Sequence, residues 1–165
     1  MARHEHSIGK TSEWCTPPHI FHALACTFDL DVASPGQRLT PWIQATHFIQ
    51  TNSLDVPWSG FVWMNPPFGG RNTLVPWLEK FFAHGDGIAL VRDRTSAPWW
   101  QRYAPRADLV LFVTPKIQFV ATDGKPGPTQ GTCLLGVGPN AVGPLRRAAP
   151  VLGSLMRPVR RRDGG

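Results

Sequence analysis

An α/β fold, with a mostly parallel sheet and helices on both of its faces, is what this 165-residue sequence predicts. Three observations carry that expectation. Strand-length runs that are apolar throughout, such as GFVWM, GIALV and LVLFV, suit strands buried on both faces. These runs alternate with segments whose apolar residues recur at helical spacing, the order of a βαβ arrangement. Polar residues end the runs at Asp31, Asn65 and Asp93, and ligands of such sheets sit outside the C-terminal ends of the strands.

Taken in order, Thr16-Pro17-Pro18 opens a helix, with Thr16 as N-cap and proline tolerated in the first turn. Ile20, Phe21 and Leu24 give it an apolar face. TFDLDVAS then reads as a strand with polar residues at its exit, residues 35–45 as loop, and ATHFIQ as a short strand. SGFVWMN is the clearest strand, bounded by a turn before and prolines after. RNTLVPWLEKFFAHG follows as an amphipathic helix whose core face is Leu74, Trp77, Leu78, Phe81 and Phe82, with Gly85 as its stop. GIALVRD is a strand and SAPWWQRYA a short helix, on which only one of Trp99 and Trp100 can face inward. ADLVLFVTP and GTCLLGVGP are the last strands. No helix separates them, so they predict an antiparallel hairpin at one end of the sheet, joined by the link ATDGKPGPTQ.

No run reaches the roughly 18 continuous apolar residues of a membrane span. The charged start MARHEHSIGK lacks an apolar signal segment, which makes the cytoplasm the default location. Cys15, Cys26 and Cys133 are too far apart for a zinc site or disulfide framework and read as buried thiols. His19 and His22 have metal-ligand spacing but no evident third ligand, so no metal is expected. The net charge is +6, and residues 145–163 hold six arginines against one aspartate, which leaves the body nearly neutral. The division expected is a domain over residues 1–144 and a basic, flexible tail over residues 145–165. Such a tail suits contact with phosphates or simple solvation.

The stretch FVWMNPPFGG, residues 61–70, carries the chemistry. Pro66 and Pro67 present carbonyls without competing N–H donors and stiffen the loop. Asn65 adds a side-chain acceptor, and Phe68 offers a flat face on which a planar ring can stack. Two acceptors on a rigid loop suit the two hydrogens of an exocyclic amine on an aromatic base. Such an amine is a poor nucleophile because its lone pair is delocalised. Acceptors that draw it towards tetrahedral geometry free that pair and stabilise the charge that develops. The bland reading is a turn without chemistry.

Over residues 12–137 the sequence resembles the small phage-type DNA N6-adenine methyltransferases of the Dam family. Glu13-Trp14-Cys15-Thr16-Pro17 is similar to the family's Trp-x-Thr-Pro opening, and FDLDVAS to its Asp-Leu-Asp-Pro-Ala-Ser. LDVPWSGFVWMNPPFGG resembles its Trp-x-Gly-x-Val-Trp-x-Asn-Pro-Pro-aromatic block. RTSAPWW and KIQFV resemble two later segments. Val32, Ser96 and Asn52 depart from the pattern; Asn52 stands where an acidic residue is common, with Asp55 as a competing candidate. Only Gly36 represents a glycine-rich loop.

The resemblance implies a Rossmann-like fold that uses S-adenosyl-L-methionine (SAM) to methylate adenine N6 in duplex DNA, after flipping the base. It implies a cofactor site from Trp14, Thr16, Pro17, Asp31, Asn52 and Asn65, and catalysis by Asn65, Pro66, Pro67 and Phe68. DNA is expected at Arg71, Arg94 and Lys116, and at Arg160, Arg161 and Arg162. The 69–73 loop and the 121–130 link join that surface. A monomer in a host cytoplasm, without membrane partners, completes the expectation. Two alternatives stay open: the same fold acting on cytosine N4, an RNA base or a glutamine amide, and an inactive DNA-binding relative.

Overall fold

The runs that are apolar on both sides become the middle of a seven-stranded sheet in the computed structural model, which describes residues 14–67, 69 and 71–159. The side chain of Arg71 is not among the described groups. The elements run β1 (Trp14–Cys15), α1 (Pro18–Leu24), β2 (Phe28–Asp31), β3 (Ala45–Phe48) and β4 (Val62–Met64). Next come α2 (Arg71–His84), β5 (Gly87–Arg92), α3 (Pro98–Tyr103), a 3₁₀ turn (Ala104–Arg106) and β6 (Leu109–Val113). The chain ends through β7 (Ile117–Ala121), β8 (Pro126–Gln130), β9 (Thr132–Val137), α4 (Pro139–Leu152) and β10 (Gly153–Met156).

The large sheet has the order β10-β6-β9-β5-β4-β2-β3. The neighbours among β3, β2, β4 and β5 are parallel, whereas β9 is antiparallel to both β5 and β6, and β10 is antiparallel to β6. This is a mixed α/β sheet, consistent with a methyltransferase-like fold. The last two predicted strands do pair antiparallel, but not at the end of the sheet. β9 inserts between β5 and β6, and β10 forms the edge. The link over residues 121–130 contributes β8, which pairs with β7, and β7 pairs in turn with β1 in a separate three-stranded sheet.

Side-chain alternation along the strands sorts the core into two layers. On one face, Phe28, Trp63, Ile88, Leu90 and Leu111 pack with Ile20, Phe21 and Leu24 of α1 and with Ala141, Leu145, Ala148 and Leu152 of α4. On the other, Leu30, Val62, Met64, Ala89 and Val91 pack with Leu78 and Phe81 of α2 and with Trp99 and Tyr103 of α3. Trp99 is the inward member of its pair, and Trp100 lies over Phe112 with ring centroids 6.1 Å apart. Gly85 ends α2 in the left-handed region, φ 79°, as its position predicts.

The boundary expected at residue 145 falls inside α4, and ordered chain continues through β10 to residue 159. Pro139, Gly143, Pro144 and Pro150 disguise this helix, since proline inside a helix removes a hydrogen bond. Burial of Ala141, Leu145, Ala148 and Leu152 on one stripe sustains it nonetheless. Arg147, counted with the tail charge, instead donates to the carbonyls of Leu24 and Ala25 at the end of α1, at 2.9–3.2 Å.

Cys15 and Cys133 are buried as expected, whereas Cys26 is half-buried. Burial pushes Cys26 up to about 11 and Cys133 to about 12, too high for a nucleophile near neutral pH. No helix among the described residues is long and apolar enough to cross a membrane.

Gly87 fixes the β4–β5 approach that leads into residues 65–67. A Cβ there would lie 2.6 Å from the Val62 backbone oxygen. Gly87→Ala should therefore destabilise the protein by about 1–3 kcal/mol, read from the midpoint of urea unfolding.

Candidate functional site

β2, β3, β4, β5 and β6 all point the same way, so their C-terminal ends share one edge of the sheet. Residues 31–36, 49–53, 65–67, 93–97 and 114–116 leave the strands at that edge. The sheet of β1, β7 and β8 stands there too, because β7 follows β6 and β8 precedes β9. Two clefts open at this edge. Pro66 and Pro67 line both, so this short rigid segment is their common wall.

The first cleft is a groove open to solvent around a cavity of about 130 Å³. Trp14, Thr16, Asp31, Ser34, Asn52 and Asn65 line it. Asn65 Nδ2 donates to the Trp14 carbonyl oxygen at 2.7 Å. A carbonyl can only accept, so the amide must turn its NH₂ towards Trp14. Its Oδ1 is thereby left as an acceptor, and it has no hydrogen-bond partner among the described residues. β1 holds Trp14 through its pairing with Ala121 of β7. The orientation of Asn65 is thus set from the hairpin that the sequence showed only as a Gly/Pro-rich link.

Thr16 does not cap α1. Pro17 occupies the N-cap position, and no side chain caps the helix. Proline's fixed backbone sets Thr16 one residue too far from the first turn. Its hydroxyl is buried and likewise unpartnered among the described residues. Trp42 Nε1 donates to the Thr16 carbonyl at 2.9 Å and anchors the segment from the other side.

Asp31 ends β2 and is 1% exposed. Burial pushes its carboxyl from an ordinary 3.8 up to about 7, against hydrogen bonds from the Ala33 N–H and the Ser34 side chain that favour the charge. Asn52 is exposed at the cleft and adopts φ 55°, a left-handed conformation that asparagine tolerates. Asp55, the rival to Asn52, is exposed and does not line the cleft.

These groups fit a SAM-like cofactor. The cleft's wall carries two buried polar atoms that lack partners among the described residues, and its lining includes a buried carboxylate that a cationic or hydroxyl-bearing ligand would return to the charged state.

The second cleft lies across the proline wall and is lined by Leu74, Val91, Arg92, Arg94 and Trp99. Arg94 is exposed and Arg92 half-buried. Burial, and then the like charge of Arg94, pull Arg92 below its ordinary pKa.

Lys116 is exposed on the same edge, just before β7. Arg71 opens α2, so residues 71–73 form a first helical turn rather than a loop. Asp93 is exposed and lines neither cleft. Phe68, Arg160, Arg161 and Arg162 lie outside the described residues. The described chain ends at Val159, after β10 has run antiparallel to β6 towards the edge opposite the clefts. Sequence reasoning missed the Trp14 carbonyl, Ser34, Arg92 and the inward role of Trp99. A backbone carbonyl leaves no trace in a sequence, whereas Arg92 and Trp99 were visible as polar and aromatic residues flanking Arg94.

The family model described as DNA N-6-adenine-methyltransferase (Dam) matches residues 6–133. Neither the curated proteins nor the solved structures include a significant match.

The Asp31 geometry sets a pH dependence for the free protein. The folded chain holds this proton up to about pH 7, while the unfolded chain releases it near 3.8. The stability contribution is therefore complete below about pH 4 and is lost as pH rises through 7. Urea titrations across that range should show a decline, of at most about 1.4 kcal/mol per pH unit from this group, that is missing in Asp31→Asn.

Proposed function

The chain belongs to the DNA N-6-adenine-methyltransferase (Dam) family, and on that premise we propose that it methylates adenine N6 in duplex DNA from S-adenosyl-L-methionine, with the flipped base held against residues 65–68. The observation that carries this reading is the Asn65 amide, fastened by its nitrogen so that its buried oxygen is left an acceptor without a partner among the described residues.

SAM, when bound, supplies an electrophilic methyl group. Asp31, Thr16, Asn52 and the Trp14–Pro17 segment hold it in the first cleft. Asn65 Oδ1 and a proline carbonyl accept the two N6 hydrogens of the target adenine. Each accepted bond raises electron density on a nitrogen whose lone pair is otherwise shared with the ring. The same oxygens stabilise the positive charge that grows there. Their rigidity matters because they do not have to reorganise as that charge appears.

The base reaches this wall only after leaving the duplex stack. The second cleft receives it: Leu74, Val91 and Trp99 form an apolar lining, and Phe68 is assigned the stacking face. Arg94 and Lys116 meet backbone phosphates on the same edge. Arg71 is assigned to that surface, and Arg160, Arg161 and Arg162 add sequence-independent attraction to DNA. A Rossmann-like arrangement of the parallel strands and a cytoplasmic site of action complete the proposal.

Incubation with tritiated SAM and unmethylated plasmid, followed by nucleoside analysis, tests the reading. Label in N6-methyladenine supports it; label in N4-methylcytosine, or none at all, overturns it. Asn65→Ala should lower kcat by at least about 10²–10³ while leaving the circular dichroism spectrum unchanged. Wild-type turnover in that variant would remove the mechanism.

SAM affinity should also rise between pH 6 and 8, because binding to the Asp31 carboxylate competes with a proton held to about 7. Calorimetry at several pH values reads this directly, and Asp31→Asn should flatten the dependence.

A further inference from the structure

The outer wall of the first cleft is a turn over residues 50–53 that has no regular secondary structure to hold it. It is fastened from α2. Lys80 Nζ donates to the carbonyl oxygens of Ser53 at 3.0 Å and Leu54 at 2.9 Å, and to that of Val56. An ammonium has three hydrogens, and this one has three carbonyl acceptors on a single turn. No carboxylate forms an ion pair with Lys80 among the described residues. The same Nζ lies 5.0 Å from the centroid of the Trp58 ring. Trp58 in turn donates from Nε1 to Ser53 O at 2.9 Å and to Ser53 Oγ at 3.0 Å.

A lysine on a helix flank ordinarily keeps its charge in water. Here it gathers carbonyls that would otherwise diverge, as a bound cation would. The turn they belong to includes Asn52 in its left-handed conformation, closed by the Asp55 N–H donating to Asn52 O at 2.9 Å. α2 also begins at Arg71, four positions after Pro67 in the chain.

We propose that Lys80 is a positioning residue for the cofactor cleft: by clamping the 53–56 carbonyls to α2 it fixes the wall that carries Asn52 and Ser53 and couples that wall to the segment bearing Asn65. This rests on the first cleft being the SAM site. Lys80 itself does not line that cleft. Its effect is on affinity rather than on the chemical step.

The test uses the full chain. Calorimetric titration with SAM, steady-state kinetics, and hydrogen exchange of residues 51–58 are compared for wild type, Lys80→Met and Lys80→Arg. Lys80→Met should weaken SAM binding about tenfold, the effect of losing one charge-assisted contact. It should raise KM for SAM to match, keep kcat at saturation within about twofold, and speed exchange at the Asp55 amide. Lys80→Arg should restore most of the affinity. Unchanged SAM affinity in Lys80→Met, or a fall in kcat without a change in affinity, overturns the clamp. Should Lys80→Met fail to fold, Lys80→Gln, which keeps most of the stem, carries the same readouts. If the wild type binds no SAM, the functional reading fails on its own; the exchange comparison then decides the clamp, and unaltered exchange in the 51–58 amides refutes it.

Discussion

Everything proposed for this protein depends on which way one amide points. An asparagine at a strand exit is free to present either its oxygen or its nitrogen to a ligand, and only the first is useful to an incoming amine. The Trp14 carbonyl removes that freedom at 2.7 Å. Trp14 is held in turn by β7 through a short antiparallel pairing. The orientation of the Asn65 amide therefore comes from residues some 50 positions earlier and 50 later in the chain. Pro66 and Pro67 then keep that wall stiff enough to separate two cavities.

The two cavities differ in charge. Asp31 sits on one side of the proline wall, buried, with a carboxyl that titrates at about 7 and so carries negative charge as pH rises through neutrality. Arg92 and Arg94 sit on the other. A cationic small molecule is matched to the first side and a polyanion to the second, so the wall divides ligands by charge as well as by shape. The rigid elements behind it explain how such a thin partition holds: β4 is fully buried, with Trp63 packed edge-on against Phe21 on one face and Val62 and Met64 in the opposite core layer.

Much of this was legible from residues alone. β4, α2 and β5 followed from their apolar patterns, and Asn65 and Asp31 were identifiable as polar residues closing buried runs. The departures have physical causes. The insertion of β9 is a non-local pairing that no local pattern encodes. α4 was hidden because its prolines and glycine argue against a helix, while its buried stripe, which outweighs them, only has meaning once α1 and the sheet are present. Thr16 looks like a cap because threonine usually is one; the extended Pro17 that follows takes over the position and frees the hydroxyl for the cleft. Nothing in its sequence context marks Lys80, since its three acceptors are backbone atoms more than 20 residues away.

The central position of β9 has a further consequence, for how the chain is made. Until residues 132–137 leave the ribosome, β5 has an open edge along its whole length and β6 has no neighbour on that side. The nascent chain can assemble the half-sheet of β2 to β5 early, but it carries a sticky apolar flank until β9 has been made. Products truncated before β9 should thus be prone to aggregation rather than partly functional, because a strand that arrives late fills the centre of the sheet.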